Sequence, residues 1–262
     1  IVSINDVLEG MGGSNMLLMG NSFFRPYADR FSELAQDADF LEHQYNGVFR
    51  GGDNGTPIGL WTNEDTNIEI KQILDSGNIE ILGMTWYCNE NNPLSGFTEW
   101  IDYALQNNPS IKIFVHIPTI DFPADWQQRA EGFGYNNIRD LYRHVVNDLT
   151  HKSVIDQLRE LYPSTEIFTL PTGWATFDLV DQYENNLLLD DISLFGSYDD
   201  SIFRDTKGHQ GKIVVNTGAL IWLNGLYGVN LRTNDSDTGF NTDLHTIAEN
   251  IMDLHDPDYK QQ

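Results

Sequence analysis

Hydrophobic and polar positions along this chain follow two alternating rhythms. Short apolar runs occur at positions 16–19, 40–45, 79–84, 111–117 and 166–170, the length expected of strands in a covered sheet. Between them, apolar residues recur at three- and four-residue intervals over 24–36, 67–75, 96–106 and 138–162, and again over 212–227 and 242–254. That spacing belongs to helices with a buried stripe. Strands that alternate with helices predict a parallel sheet, because a parallel crossover needs a dozen or more residues and its helices cover both sheet faces. The expected architecture is α/β: a three-layer α/β/α sandwich around a flavodoxin-like, mostly parallel five-stranded sheet. No internal repeat, low-complexity tract or linker-like shift in composition interrupts the pattern, so 1–262 is read as one domain. The least regular stretch, 184–207, reads as a long Asp-rich loop, a type that often carries function in compact domains.

Composition narrows the possible partners. With 39 Asp plus Glu against 15 Lys plus Arg, the formal charge is −24, and 40% of residues are hydrophobic. The chain can bury a core, but its own field opposes nucleic acid and anionic membranes, and neither is expected as a partner. No window approaches the roughly 18 to 20 apolar residues of a membrane helix. The single cysteine, Cys88, excludes an internal disulfide and is read as a small buried hydrophobe. A start at Ile1 rather than Met suggests a processed N-terminus, and the acidic balance suits a secreted or periplasmic protein.

In doubly wound sheets ligands bind beyond the carboxyl ends of the strands, so chemistry is sought there. After the first strand comes Met19-Gly20-Asn21-Ser22-Phe23-Phe24. Ser22 at a helix start is either an N-cap or a nucleophile beside unpaired backbone N–H groups. After the second strand, Asn46-Gly47-Val48-Phe49-Arg50-Gly51-Gly52-Asp53 offers glycine N–H groups that can approach a ligand closely, or simply a turn. After the third, Thr85-Trp86-Tyr87-Cys88-Asn89-Glu90-Asn91-Asn92 offers amide donors. Near the C-terminus, Asp205-Thr206-Lys207-Gly208-His209 brings an imidazole close in sequence to a carboxylate.

These four sites together resemble the SGNH (GDSL-like) hydrolase superfamily across nearly the whole chain. The resemblance implies Ser22 as nucleophile toward an ester carbonyl, His209 as its base, and Gly52 and Asn89 as oxyanion donors. Gly20-Asn21-Ser22 stands where that family has Gly-Asp-Ser, and Thr85 stands where it has the third-block asparagine, with Asn89 four residues on. The acid expected three residues before His209 is Thr206, with Asp205 one further back. Either a bulge completes a Ser–His–Asp triad, or a backbone carbonyl orients the imidazole of a dyad.

The substrate expected is a small-molecule or saccharide ester, deacylated without a cofactor. The alternatives are a non-catalytic carbohydrate-binding protein on the same fold and an enzyme of lipase or thioesterase type. His116, at the end of the fourth strand, is either a substrate contact or a core residue. Trp86, Tyr87 and Trp174 follow strands and could stack on a sugar. Arg25, Arg50, Arg204 and Lys207 fall in three motif loops. They either pair with neighbours such as Asp29, Asp53 and Asp205 or form an anion-binding patch on one rim. Finally, Asp235, Asp237, Asn241 and Asp243 place oxygen atoms at intervals around Gly239, as a calcium loop would. The other reading is an acidic loop that caps the last helix through Asn241.

Overall fold

A computed structural model describes residues 12–89 and 91–262; Ile1, with the expected processed start, and Glu90 lie outside the described residues. Five strands, β1 (Asn15–Gly20), β2 (Gln44–Phe49), β3 (Ile81–Thr85), β4 (Lys112–His116) and β5 (Ile167–Leu170), form one sheet in the order β2-β1-β3-β4-β5. Every pairing is parallel. Helices cover both faces, so the fold is a three-layer α/β/α sandwich.

The alternation of side chains along each strand explains the two cores. Met16 and Leu18 of β1, Phe114 of β4 and Phe168 of β5 join one buried cluster. That cluster includes residues of α1 (Arg25–Asp37), α8 (Trp174–Glu184), α9 (Lys212–Tyr227) and α10 (Leu244–Leu254). Leu17, Met19, Leu82, Ile113 and Val115 point the other way. They meet α2 (Pro57–Thr62), α3 (Glu64–Leu74) and α4 (Phe97–Asn107). Helix α9 is apolar around its whole circumference because it lies between α1 and α10 as well as over the sheet. No helix among the described residues is long and apolar enough to cross a membrane.

The second strand is not where the apolar run at 40–45 puts it. It is the edge strand and buries only Val48 fully, so its polar residues hide it from a hydrophobicity reading. Phe40 instead packs beside the sheet with its ring stacked 4.1 Å from Tyr227. The helix expected over 138–162 is present as α6 (Ile138–His144), a π-helical segment (Val145–Asp156) and α7 (Gln157–Leu161). Within the π-helical segment, Thr150 and Ser153 donate to carbonyls five residues back. Three further helices lacked a clear signal: α2, α5 (Trp126–Gly132) and α8. The first two are short, and α8 is rich in residues of modest helix propensity that packing overrides. The loop expected at 184–207 contains two short parallel strands, β6 (Ser193–Phe195) and β7 (Ser201–Phe203).

Four histidines are buried, His43, His116, His151 and His255, and burial lowers the pKa of His43 to about 4. His116 is fully buried, edge-on to Phe24 and Trp222, and both of its ring nitrogens lack a protein hydrogen-bond partner. Although it ends β4, it is a core residue closed off from solvent, which corrects its reading as a substrate contact. Burial lowers its pKa to about 3. Burial, with the facing His255 second, lowers that of His151 to about 3, and burial lowers that of His255 to about 4. These groups stay neutral in the fold while the unfolded chain protonates below pH about 6.5. The unfolded state therefore binds more protons, and stability falls as pH drops from about 6.5 toward 4. Each histidine contributes a slope of up to about 1.4 kcal/mol per pH unit. Denaturant titrations of wild type and His116→Phe across pH 7 to 4 are expected to differ in slope by close to one proton; equal slopes would contradict this placement.

Candidate active site

The carboxyl edge of the sheet carries the polar chemistry. Beyond β1 the backbone turns sharply: Asn21 accepts from Phe24 N and Arg25 N through its carbonyl and from Phe23 N through its side chain. The residue that precedes α1 is Phe24, which makes no side-chain cap. Ser22 is therefore not the helix cap. Its Oγ lies 2.8 Å from His209 Nε2.

His209 belongs to the turn that follows β7. Its Nδ1 lies 2.6 Å from Asp205 Oδ2, while Asp205 Oδ1 accepts from the backbone N–H groups of Gly208 and His209. Gly208 sits at φ +94°, a left-handed conformation that closes the four-residue interval between acid and imidazole. The aspartate one position earlier than the resemblance implies thus reaches the ring. The partly buried imidazole also stacks on Phe23, 4.9 Å between centroids. Burial would raise the pKa of Asp205, but the His209 ring and N–H and the Gly208 N–H outweigh it and hold the carboxyl below its ordinary value. With the carboxylate accepting from Nδ1–H, Nε2 is left to accept the Ser22 hydroxyl proton.

The β2 junction is clamped against this turn. Arg50 N donates to Gly20 O at 3.0 Å, and a side chain at Gly55 would meet Arg50 O at 2.3 Å and Gly20 O at 2.6 Å. Only glycine permits that approach. Gly52, at φ +56°, faces open space and lines the same cleft as Asn21 and Phe23. Sequence reasoning found the glycine pair but missed Gly55, which holds the loop in place.

The remaining expectations divide. Trp86 and Tyr87 line the cleft. So does Cys88, which is exposed rather than buried. Asn89 is not brought there; its Oδ1 accepts from Asn92 N in a local turn. Trp174 packs at 4.8 Å on Tyr142 instead. The basic residues do not share one rim. Arg25 pairs with Asp29 and, with Arg204 and Lys212, lines a groove beside α1. Arg50 pairs with Glu69 of α3, while Lys207 faces the cleft.

In the acidic segment near the last helix, Asp237 and Asp243 accept from nearby backbone N–H groups. Asp243 caps α10 through Thr246 N, a role expected of Asn241, and Asn241 binds Asp190. Asp237 accepts from Gly239 N. Among the described residues no three His, Cys, Asp or Glu side chains gather as a metal-holding group.

No protein-family profile matches the chain, and no curated protein sequence matches it. The solved structures similar to it include the following two. The periplasmic domain of a lipopolysaccharide acetyltransferase from Salmonella ser. Paratyphi A is 13% identical with a TM-score of 0.39, over 66% of this chain and 71% of that one. A Clostridium thermocellum family 3 carbohydrate esterase is 15% identical with a TM-score of 0.40, over 80% and 94%.

Because backbone rather than a flexible side chain crowds Gly55, Gly55→Ala is expected to cost about 1 to 3 kcal/mol of stability in urea denaturation. Wild-type stability in that variant would contradict the clamp.

Proposed function

We propose that the chain is a serine hydrolase that cleaves a carboxylic ester and needs no cofactor, with a saccharide as the alcohol half of the substrate. The observation that carries this reading is the hydrogen-bond relay Ser22–His209–Asp205. As Ser22 Oγ attacks the ester carbonyl carbon, its proton passes to His209 Nε2, and Asp205 stabilises the imidazolium that forms. Backbone N–H groups of Ser22 and Gly52 receive the developing oxyanion. Collapse of the tetrahedral intermediate expels the alkoxide, which takes the proton from His209. Water, deprotonated by the same nitrogen, then releases the acid and restores Ser22. An assembled relay of this kind favours catalysis over a carbohydrate-binding role. The groove of Arg25, Arg204 and Lys212 offers an anionic saccharide a place beside the site, and Arg204 has no ion-pair partner among the described residues. A secreted or periplasmic setting fits the charge of −24.

The test is hydrolysis of a p-nitrophenyl ester by wild type, Ser22→Ala, His209→Ala and Asp205→Asn. The first two variants are expected to lose more than about a thousandfold in kcat, and Asp205→Asn about a hundredfold or more, with Tm nearly unchanged. Retention of over about a tenth of the rate in His209→Ala, a barrier change under about 1.4 kcal/mol, would assign the base elsewhere. No turnover by wild type with any ester would favour the binding protein.

A further inference from the structure

The cleft that begins at Asn21, Phe23 and Gly52 encloses about 450 Å³ and runs along the carboxyl edge past Trp86 and Thr119. Its far part is formed mainly by Ile120, Phe133, Leu141, Val145 and Leu149, from the segment after β4 and the helical layer that includes α6 and its π-helical continuation, with His144 of α6 beside them. These five side chains carry no hydrogen-bonding atom. The acidic and basic residues of the lining are Asp53, Asp121, Arg129, His144 and Lys207; Arg129 pairs with Asp121 at 2.9 Å, and His144 Nδ1 lies 2.9 Å from Asp148 Oδ2. Two buried polar atoms of the lining, Trp86 Nε1 and Thr119 Oγ1, lack protein partners, and both residues follow strand ends rather than belonging to the far wall.

We propose that this cleft binds the acyl half of the ester as a medium-length apolar chain, which makes the protein selective for such acyl groups over acetyl. The inference rests on the serine-hydrolase reading above. Asn21 and Phe23 are the two sequence neighbours of Ser22, so a carbonyl at Ser22 Oγ starts at the mouth of the cleft. Its polar end meets Trp86 and Thr119, and the chain continues into the apolar part. A saccharide does not suit that part, because its hydroxyls would be buried without partners. An acetyl group would leave most of the volume unfilled. The cleft size and its apolar lining are those of a small-molecule site. The saccharide half then lies on the opposite side of Ser22, toward the groove of Arg25 and Arg204.

Each methylene taken from water is worth about fourfold in kcat/KM at best. The experiment compares kcat/KM for p-nitrophenyl octanoate and p-nitrophenyl acetate, both below micellar concentrations, in wild type and in Leu149→Trp, which narrows the far part. Wild type is expected to prefer octanoate by at least about tenfold, and the substitution to bring that ratio down severalfold. Val145→Phe serves the same purpose if Leu149→Trp does not fold. Equal or better hydrolysis of acetate by wild type would overturn the acyl assignment while leaving the hydrolase reading intact. So would an octanoate preference that both variants retain. Failure to hydrolyse either ester would overturn the hydrolase reading itself, and the acyl assignment with it.

Discussion

A parallel sheet buried on both faces leaves its carboxyl edge as the place where polar side chains can meet without being sealed in a core. In this protein that constraint separates two fates for residues of similar chemistry. His116 is the last residue of β4, points into the aromatic cluster around Trp222, and is kept neutral by burial. His209 comes from a turn outside the sheet and keeps partial access to solvent, with a serine on one nitrogen and a carboxylate on the other. What distinguishes them is which layer the backbone puts them in.

The edge is assembled by backbone closeness more than by side-chain bonds. Gly55 allows the β2 turn to lie against Gly20, and Gly208 lets the chain double back so that Asp205 reaches the ring of its own turn. Both are positions where a Cβ would meet neighbouring atoms, at Gly55 backbone carbonyls and at Gly208 the ring of Pro123. Phe23 then serves two sides: it stacks on His209 and forms part of the wall of the apolar cleft. The geometry of the relay and the shape of the cleft are therefore coupled through one residue.

Much of this was legible before any coordinates. The five-strand alternation is a local signal in the spacing of apolar residues, while Ser22, Asp205 and His209 were grouped by the resemblance. What could not be read depends on contacts distant in sequence. The edge strand β2 is polar because only Val48 of it is fully covered, so the apolar run at 40–45 misled the reading. Asn89 has the right chemistry for an oxyanion donor, but its Oδ1 accepts from Asn92 N in a local turn and the residue does not line the cleft. The arginines separate because Arg50 faces α3 while Arg25 and Arg204 face the groove beside α1. The apolar cleft was invisible for a similar reason, since its far wall consists of residues that read as ordinary helix core until α6 and its π-helical continuation are placed beside the strand ends.

The central claim is that His209 activates Ser22 as a nucleophile. The most direct measurement is reaction of the intact protein with a fluorophosphonate, followed by mass spectrometry of the adduct and its site. One adduct per chain is expected, on Ser22, formed at a rate that falls sharply in His209→Ala. An adduct on another residue, or labelling of Ser22 at the wild-type rate without His209, would contradict it.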